Sequence, residues 1–349
     1  MLGALYPLAR PFFRRLDPET AHALTLTALA AASPVVRRPH DDPRLKVRAF
    51  GLDFPNPIGL AAGFDKNAEV PRVMLAMGLG FVEVGSITPL PQSGNPRPRI
   101  FRLEQDRAVI NRLGFNNEGL EAAKQRLQRF DRAAGIIGVN VGANKDASDR
   151  IADYVRGFTE LAPFASYMTV NISSPNTPGL RGLQNRSELE QLLGKLTAAR
   201  AKLAKPVPLV VKIAPDLDDA AIDDIVEIAL AARIDGLIVS NTTISRPATL
   251  RNANAKETGG LSGAPLFALS TEVLRKVHAI AQGRLTLIGV GGISSGADAY
   301  AKIRAGATLV QLYSALTYDG PGLITRIKRD LVKLLERDGF ASVADAVGR

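Results

Sequence analysis

The amino-acid sequence predicts a TIM barrel, the α/β fold in which eight parallel strands alternate with eight helices, preceded by a small N-terminal helical extension. From Leu45 onward, eight apolar runs of strand length alternate with eight segments of helical character. Eight such units are the number that closes a barrel. No Gly-x-Gly-x-x-Gly stretch opens a first helix, which disfavours the rival fold, an open doubly wound sheet.

Each predicted strand is a short apolar run, as expected of parallel strands that are buried on both faces. The strands are predicted at Pro57–Leu60, Phe81–Ser86, Ile136–Val141, Met168–Ile172, Leu209–Ile213, Gly236–Val239, Leu285–Val290 and Leu309–Leu312. The helices are predicted at Asn67–Met77, Glu118–Phe130, Asp149–Leu161, Glu188–Leu203, Asp218–Ala232, Leu266–Ile280, Gly296–Ala305 and Leu323–Glu336. A hairpin at Leu45–Phe54 is expected to close the bottom of the barrel. The long connection from Ser86 to Asn116 predicts a functional role, because long ordered loops in compact domains tend to carry function.

The first forty residues differ in character from the rest. Asp17-Pro18-Glu19 is a helix-start signal, and the uncharged stretch Thr20–Val36 is too short and too rich in Thr and Ala to span a membrane. Apolar positions and arginines suit two helices that dock at a membrane interface; they are Leu5, Leu8, Phe12, Phe13, Leu24, Leu26 and Leu29 with Arg10, Arg14, Arg15, Arg37 and Arg38. We therefore divide the chain into a docking segment, residues 1–40, and a catalytic barrel, residues 41–349. The alternative is a helical hairpin that packs on its own domain.

Composition excludes several kinds of site. The 349 residues include no cysteine and only three histidines, so thiolate chemistry is excluded and a metal site is not expected. The net charge of +10 fits nucleic acid, an anionic membrane, an anionic substrate or a merely solvated basic surface. Aromatic residues make up 5% and are not interleaved with Lys and Arg runs, which argues against a nucleic-acid partner.

Polar side chains stand at nearly every predicted strand end, where this fold places its active site. They include Lys66, Ser86, Asn140, Asn171, Asn176, Lys212, Ser240, Asn241, Thr242, Tyr313 and Ser314. Asparagine amides suit a planar ligand rich in imide and carbonyl groups. The absence of a carboxylate pair or a histidine at these positions argues against glycoside hydrolysis and metal-assisted hydrolysis.

The seventh strand is followed by Gly289-Val290-Gly291-Gly292-Ile293 and a helix start at Gly296. In a TIM barrel the loops after strands seven and eight commonly bind phosphate through free backbone N–H groups. Alone this glycine-rich stretch is a weak signal, since it also suits a tight turn. At this place, beside polar groups for a planar ring, it predicts FMN.

Four motifs together resemble the dihydroorotate dehydrogenase family. They are Ala61–Asn67 (AAGFDKN), Asn111–Asn117 (NRLGFNN), Asn171–Gly179 (NISSPNTPG) and the loop Gly289–Ile293. The resemblance covers essentially the whole chain. Serine stands at position 174, where soluble members carry cysteine, and this serine and the N-terminal extension resemble the class 2, quinone-linked branch.

The resemblance implies a role for each matching position. FMN would be held by Ala62, Gly63, Phe64, Asp65, Lys66, Ser86, Asn140, Asn171, Lys212, Ser240, Gly263, Gly292, Tyr313 and Ser314. Dihydroorotate would be held by Lys66, Asn111, Arg112, Leu113, Gly114, Phe115, Asn171, Asn176, Asn241 and Thr242. Ser174 would be the catalytic base, with hydride passing to flavin N5. The segments Thr177–Leu183 and Thr258–Gly263 are candidate lids.

The implied enzyme oxidises dihydroorotate to orotate in pyrimidine biosynthesis and passes electrons to a membrane quinone. It is expected to be a monomer, peripheral on the anionic surface of the cytoplasmic face of the cell membrane. Two rivals remain. A flavin enzyme acting on RNA, such as a dihydrouridine synthase, would need a cysteine acid that this chain lacks. The second rival is a non-enzymatic membrane-binding module built on a degenerate barrel. The polar residues at nearly every strand end argue against it, because such a module would not need them.

Overall fold

The computed structural model describes residues 2–349, except the side chains of residues 2–5 and 7–9. The predicted contacts of Leu5 and Leu8 lie outside the described side chains. In chain order the helices and strands are α1 (Leu2–Arg15), α2 (Pro18–Ala32), β1 (Val47–Ala49), β2 (Leu52–Phe54), β3 (Ile58–Leu60), α3 (Pro71–Ala76), β4 (Phe81–Ile87), β5 (Ile100–Leu103), β6 (Ala108–Asn111), α4 (Gly119–Gln128), β7 (Ile136–Val141), α5 (Arg150–Leu161), β8 (Tyr167–Asn171), α6 (Arg186–Ala201), β9 (Leu209–Ile213), α7 (Asp219–Ala231), β10 (Gly236–Val239), β11 (Gly260–Gly263), α8 (Phe267–Ala281), β12 (Thr286–Val290), α9 (Gly296–Arg304), β13 (Leu309–Leu312), α10 (Ser314–Asp319) and α11 (Gly322–Arg337).

Eight parallel strands close into a barrel in the order β3-β4-β7-β8-β9-β10-β12-β13, and β13 pairs with β3 to complete the ring. A helix follows each strand, so the predicted TIM barrel is confirmed. Every residue of β4, β8, β9, β10 and β13 is buried. Such burial explains why these strands are near-continuous apolar runs in the sequence.

The bottom of the barrel is closed by the antiparallel hairpin β1–β2. Phe54 of this hairpin packs edge-on against Phe81 at the start of β4, with ring centroids 5.3 Å apart. Nearby, the Lys328 ammonium of α11 lies 2.6 Å from Asp41, and both side chains are buried. The N-terminal ends of the strands are therefore sealed by packing and by one buried ion pair, which leaves the opposite end for a ligand.

Two N-terminal helices lie against the opposite, C-terminal end of the barrel. Asp17 caps α2 by accepting hydrogen bonds from the backbone N–H groups of Glu19 and Thr20. Glu19 then forms a largely buried ion pair with Arg99 at 2.6 Å, and this pair attaches α2 to the long connection before β5. Within residues 2–349 we find no helix long and apolar enough to cross a membrane.

A small three-stranded antiparallel sheet, in the order β11-β6-β5, stands beside the barrel mouth. Strands β5 and β6 lie within the long connection that the sequence predicts between Ser86 and Asn116, whereas β11 is not predicted. Gly260 pairs with Asn111 and Gly263 with Ala108. Most of the candidate lid Thr258–Gly263 is therefore a strand within a sheet in this structure.

Candidate functional site

One cavity of about 460 Å³ opens at the C-terminal ends of the barrel strands, under α1 and α2. Most of the predicted site residues line it. They are Ala62, Gly63, Phe64, Lys66, Ser86, Asn111, Leu113, Gly114, Phe115, Asn171, Ser174, Asn176, Lys212, Ser240, Asn241, Thr242, Gly263, Gly292, Tyr313 and Ser314. The volume lies within the usual range for small-molecule sites.

The floor of the cavity is a chain of hydrogen-bonded amides and hydroxyls. The Ser86 hydroxyl donates to Asn140 Oδ1 at 2.5 Å and accepts from Asn171 Nδ2 at 3.0 Å. Asn241 Nδ2 donates to Asn171 Oδ1 at 3.2 Å and to the Ser173 hydroxyl at 3.0 Å. Because each amide is fixed by its neighbour, the groups that face the cavity keep a defined donor and acceptor pattern.

A buried carboxylate, Glu83 of β4, supports this floor from below. It accepts hydrogen bonds from Asn140 Nδ2 at 2.8 Å, Tyr167 OH at 2.9 Å, Thr169 Oγ1 at 3.1 Å and Gln311 Nε2 at 3.0 Å. Four donors suit the acceptor-only ionised form. Glu83 therefore ties strands β4, β7, β8 and β13 together directly beneath the site.

Lys212 of β9 carries a positive charge into the cavity. Burial lowers the pKa of this lysine, and the charge of Glu83 opposes that effect. Its ammonium has no hydrogen-bond or ion-pair partner among the described residues, although only 5% of the residue is exposed. A buried ammonium without a partner is costly, so Lys212 is available to a ligand that carries or acquires negative charge.

Lys66 is a second lysine of the cavity, in the turn after β3. Burial lowers its pKa to about 8, and the charges of Glu19 and Asp65 limit that shift. The same cavity is lined by Asn111 and Asn176, whose side chains are joined by a hydrogen bond of 3.3 Å. The cavity therefore offers the Lys66 cation and these two amides to an anionic ligand.

Ser174 lies in the loop that follows β8. Its hydroxyl is 6% exposed and accepts a hydrogen bond from the Asn176 backbone N–H at 3.3 Å. Arg181 holds the same loop by donating to the Ser173 carbonyl at 3.1 Å, to Asp216 at 2.9 Å and to the Thr242 carbonyl at 3.0 Å. The loop with Ser174 is thus attached to the loops that follow β9 and β10.

A turn with two consecutive glycines follows β12. Gly291 and Gly292 have φ values of +110° and +76°, which favour glycine. Beside them, the Ser314 hydroxyl at the start of α10 donates to Ser262 at 2.8 Å. This is the loop pair that commonly binds phosphate in the fold.

The outer part of the cavity is more apolar. Phe13 and Leu29 of the N-terminal helices line it together with Phe64 and Tyr313. The ring centroids of Phe64 and Tyr313 lie 5.5 Å apart. His22 Nε2 contacts the Phe64 carbonyl at 2.8 Å, and burial lowers the pKa of His22 to about 4. The imidazole is therefore neutral at physiological pH and donates from Nε2.

Three predicted site residues do not turn their side chains into the cavity. Asp65 accepts from the backbone N–H groups of Glu69 and Val70 at 2.8 Å and shapes the turn before α3. Asn140 lies below Ser86, and Arg112 forms an ion pair with Glu257 at 2.6 Å. Their predicted contacts to ligands are thus not supported by their side-chain positions.

Several residues of the site were not predicted from the sequence. The cavity is also lined by His22, Arg102, Ser262 and Gln311, and Glu83 lies beneath it. Glu83 had a usable signal, because it is the one charged residue in the apolar run Phe81–Ser86. Within the described part of the chain, no cluster of His, Cys, Asp or Glu suitable for a metal ion is found.

Comparisons with known proteins agree on one family. A family model described as dihydroorotate dehydrogenase matches residues 44–335. A protein of Parvibaculum lavamentivorans, named dihydroorotate dehydrogenase (quinone), is 61% identical over 99% of this chain and 98% of its own length. One of Bradyrhizobium diazoefficiens with the same name is 56% identical over 100% of this chain and 96% of its own. A crystal structure of DHODH in complex with ferulenol, from Eimeria tenella, has a TM-score of 0.91 at 43% identity and covers 95% of both chains.

Proposed function

Because this chain belongs to the dihydroorotate dehydrogenase family, we propose that it oxidises dihydroorotate to orotate in pyrimidine biosynthesis, with FMN as cofactor and a quinone as electron acceptor. One observation carries the proposal. A single cavity joins a floor of fixed amides and two lysines to a mouth lined by α1 and α2, which contribute apolar side chains such as Phe13 and Leu29 beside Arg10 and Arg14. A polar pyrimidine and an apolar quinone can therefore reach the same cofactor.

The residues fit FMN. Lys212 supplies a buried ammonium that has no partner among the described residues, which suits a ring that becomes negative on reduction. The turn at Gly291 and Gly292 leaves no room for a Cβ, since one added to Gly292 would lie 2.5 Å from Phe267 Cβ. FMN would be held by that turn, by Lys212 and by the polar groups of Ser86 and Asn171.

When bound, FMN supplies the hydride acceptor. The chain supplies the proton acceptor, for which Ser174 is the candidate, because no other hydroxyl, carboxylate or imidazole of the Asn171–Gly179 motif lies at this place on the cavity wall. A serine hydroxyl is a weak base and needs a relay. Thr177, three residues after Ser174, has a buried Oγ1 without a hydrogen-bond partner among the described residues, so its hydroxyl is a candidate member of such a relay.

The remaining polar groups orient the substrate. Lys66 would pair with the orotate carboxylate, and Asn111, Asn171, Asn176 and Asn241 would bond the ring amides and carbonyls. The hydrogen bonds among these amides fix their positions before the ligand arrives, which favours the close alignment that hydride transfer requires.

We further propose that the protein is peripheral on the cytoplasmic face of the cell membrane, and that it acts as a monomer. Phe12 of α1 and Leu24 of α2 are exposed large apolar residues, and Arg14 and Arg15 stand exposed at the end of α1. Exposed apolar and basic side chains on the same helices suit an anionic lipid surface. The quinone would enter between these helices and reach the mouth beside Tyr313.

The visible spectrum of the purified protein tests the proposal. We expect the absorption bands of an oxidised flavin, bleached under anaerobic conditions by dihydroorotate and restored by a quinone. NADPH, the reductant expected of a flavin enzyme that reduces RNA pyrimidines, should leave the bands unchanged. A protein without flavin, or one bleached by NADPH alone, would refute the proposal.

A further inference from the structure

Lys302 of α9 is a fully buried lysine that the reaction proposed above does not use. Its ammonium donates a hydrogen bond of 2.6 Å to the Ser270 hydroxyl of α8. It also lies 5.2 Å from the centre of the Phe267 ring. No ion-pair partner of Lys302 is found among residues 2–349 as described.

Both of these neighbours form the back wall of the glycine turn after β12. A Cβ added to Gly291 would lie 2.6 Å from Ser270 Oγ, and one added to Gly292 would lie 2.5 Å from Phe267 Cβ. The Ser270 hydroxyl also contacts the Gly291 carbonyl at 3.3 Å. The Lys302 ammonium therefore lies directly behind the turn, and it also lies 3.5 Å from the carbonyl of Val290, the residue before Gly291.

An unpaired buried ammonium is an unusual and costly feature. The other deeply buried lysine outside the cavity, Lys328, has Asp41 at 2.6 Å. Two charged groups act on Lys302: Asp298 on its own helix favours the charged form, and Arg275 on α8 opposes it. Asp298 is occupied by the Ser294 N–H and hydroxyl, both at 2.9 Å. Burial dominates and lowers the pKa of Lys302 to about 7.

We propose that Lys302 is a positioning residue for the phosphate of the cofactor, whose negative charge on the far side of the Gly291–Gly292 turn compensates the buried ammonium. This inference rests on the proposed function, because it takes FMN as the ligand. Lys302 would not touch the phosphate. It would act through Ser270 and the turn, and would make the site prefer a phosphorylated flavin.

Exchange of flavin on the holoenzyme tests the inference. The purified protein is incubated with excess riboflavin, and bound FMN and riboflavin are then separated and quantified. In Lys302→Met, which keeps the length of the side chain, the FMN-over-riboflavin preference should fall roughly tenfold or more, as expected for one charge a few ångströms away at protein-like permittivity. Lys302→Gln must show the same fall, whereas Lys302→Arg should stay near the wild type.

Lys328→Met is the matched control, because it removes another buried lysine, which lies beside Asp41 and Gly78 and not at the turn. It should lower the melting temperature, since Asp41 loses its partner, but leave the flavin preference unchanged. An unchanged preference in the Lys302 variants, or an equal fall in Lys328→Met, would overturn the role of Lys302. A wild-type protein that binds no flavin would instead overturn the proposed function, and this inference with it.

Discussion

Glu83 lies buried at the centre of the barrel, and the substitution Glu83→Gln tests whether it holds the site together. The carboxylate accepts from Tyr167, Thr169 and Gln311 at Oε2 and from Asn140 at Oε1. Glutamine has the same shape but offers one acceptor oxygen and one NH2 group. The NH2 group of the glutamine must then face one of the four groups that donate a hydrogen bond to Glu83.

The cost follows from these four contacts. One donor is left unsatisfied, which costs about 1–3 kcal/mol. The other bonds change from charged to neutral acceptors and weaken by roughly 1 kcal/mol each. The relief of burying one charge fewer offsets part of this loss, so we expect about 3 kcal/mol net, which corresponds to a fall in the melting temperature of roughly 5 °C for a chain of this size.

Differential scanning calorimetry of Glu83→Gln and of Glu160→Gln provides the comparison. Glu160 is also a carboxylate with hydrogen-bonded partners, Lys124 at 3.2 Å and Arg156 at 3.1 Å, but it lies partly exposed on α5. Its substitution should change stability by less than about 1 kcal/mol. If both variants melt at the same temperature, the buried network beneath the site does not contribute as we infer.

Three further predictions concern the reaction and the membrane. Ser174→Ala should retain FMN but slow flavin reduction by dihydroorotate about a hundredfold or more in stopped-flow measurements, with Ser173→Ala milder; an unchanged rate would exclude Ser174 as base. Because burial lowers the pKa of Lys66 to about 8, its ammonium is charged below that pH, so kcat/KM for dihydroorotate should fall as pH rises above it. Lys66→Arg should remove this descending limb, and its persistence would assign the limb to another group. Phe12→Glu should reduce sedimentation with anionic liposomes about tenfold, whereas Ile244→Glu, equally exposed on the loop after β10, should not; equal losses would contradict docking through α1.

The barrel strands were predictable because burial on both faces leaves a simple apolar pattern. The strand β11 was not, since Gly260-Leu261-Ser262-Gly263 has two glycines and no β-branched residue. It forms because β6 provides a pairing partner from a distant part of the chain. The predicted helix at Asn67–Met77 begins only at Pro71, because the Asp65 carboxylate holds the N–H groups of Glu69 and Val70 in a turn.

The residues that line the site were predictable where they stand at the C-terminal end of a predicted strand. What sequence could not give is the direction of a side chain within a loop. Arg112 belongs to the Asn111–Asn117 motif, yet Glu257 and the ring of Phe101, at 4.5 Å, hold its guanidinium away from the cavity. The place of His22 in the cavity lining could not be predicted either, because it depends on how α2 packs over Phe64.

The pairing of β6 with β11 fixes a distance that matters to both ligands. Asn111, which we propose binds the substrate, and Gly263, which we propose binds the cofactor, both line the cavity and lie at opposite ends of this one ladder. Three residue steps separate them, roughly 10 Å along the strands. The ladder therefore acts as a spacer of set length between the two binding regions. A one-residue insertion in β6 would turn the side chain of Asn111 to the opposite face of the sheet, so this connection should tolerate changes of residue type far better than changes of length.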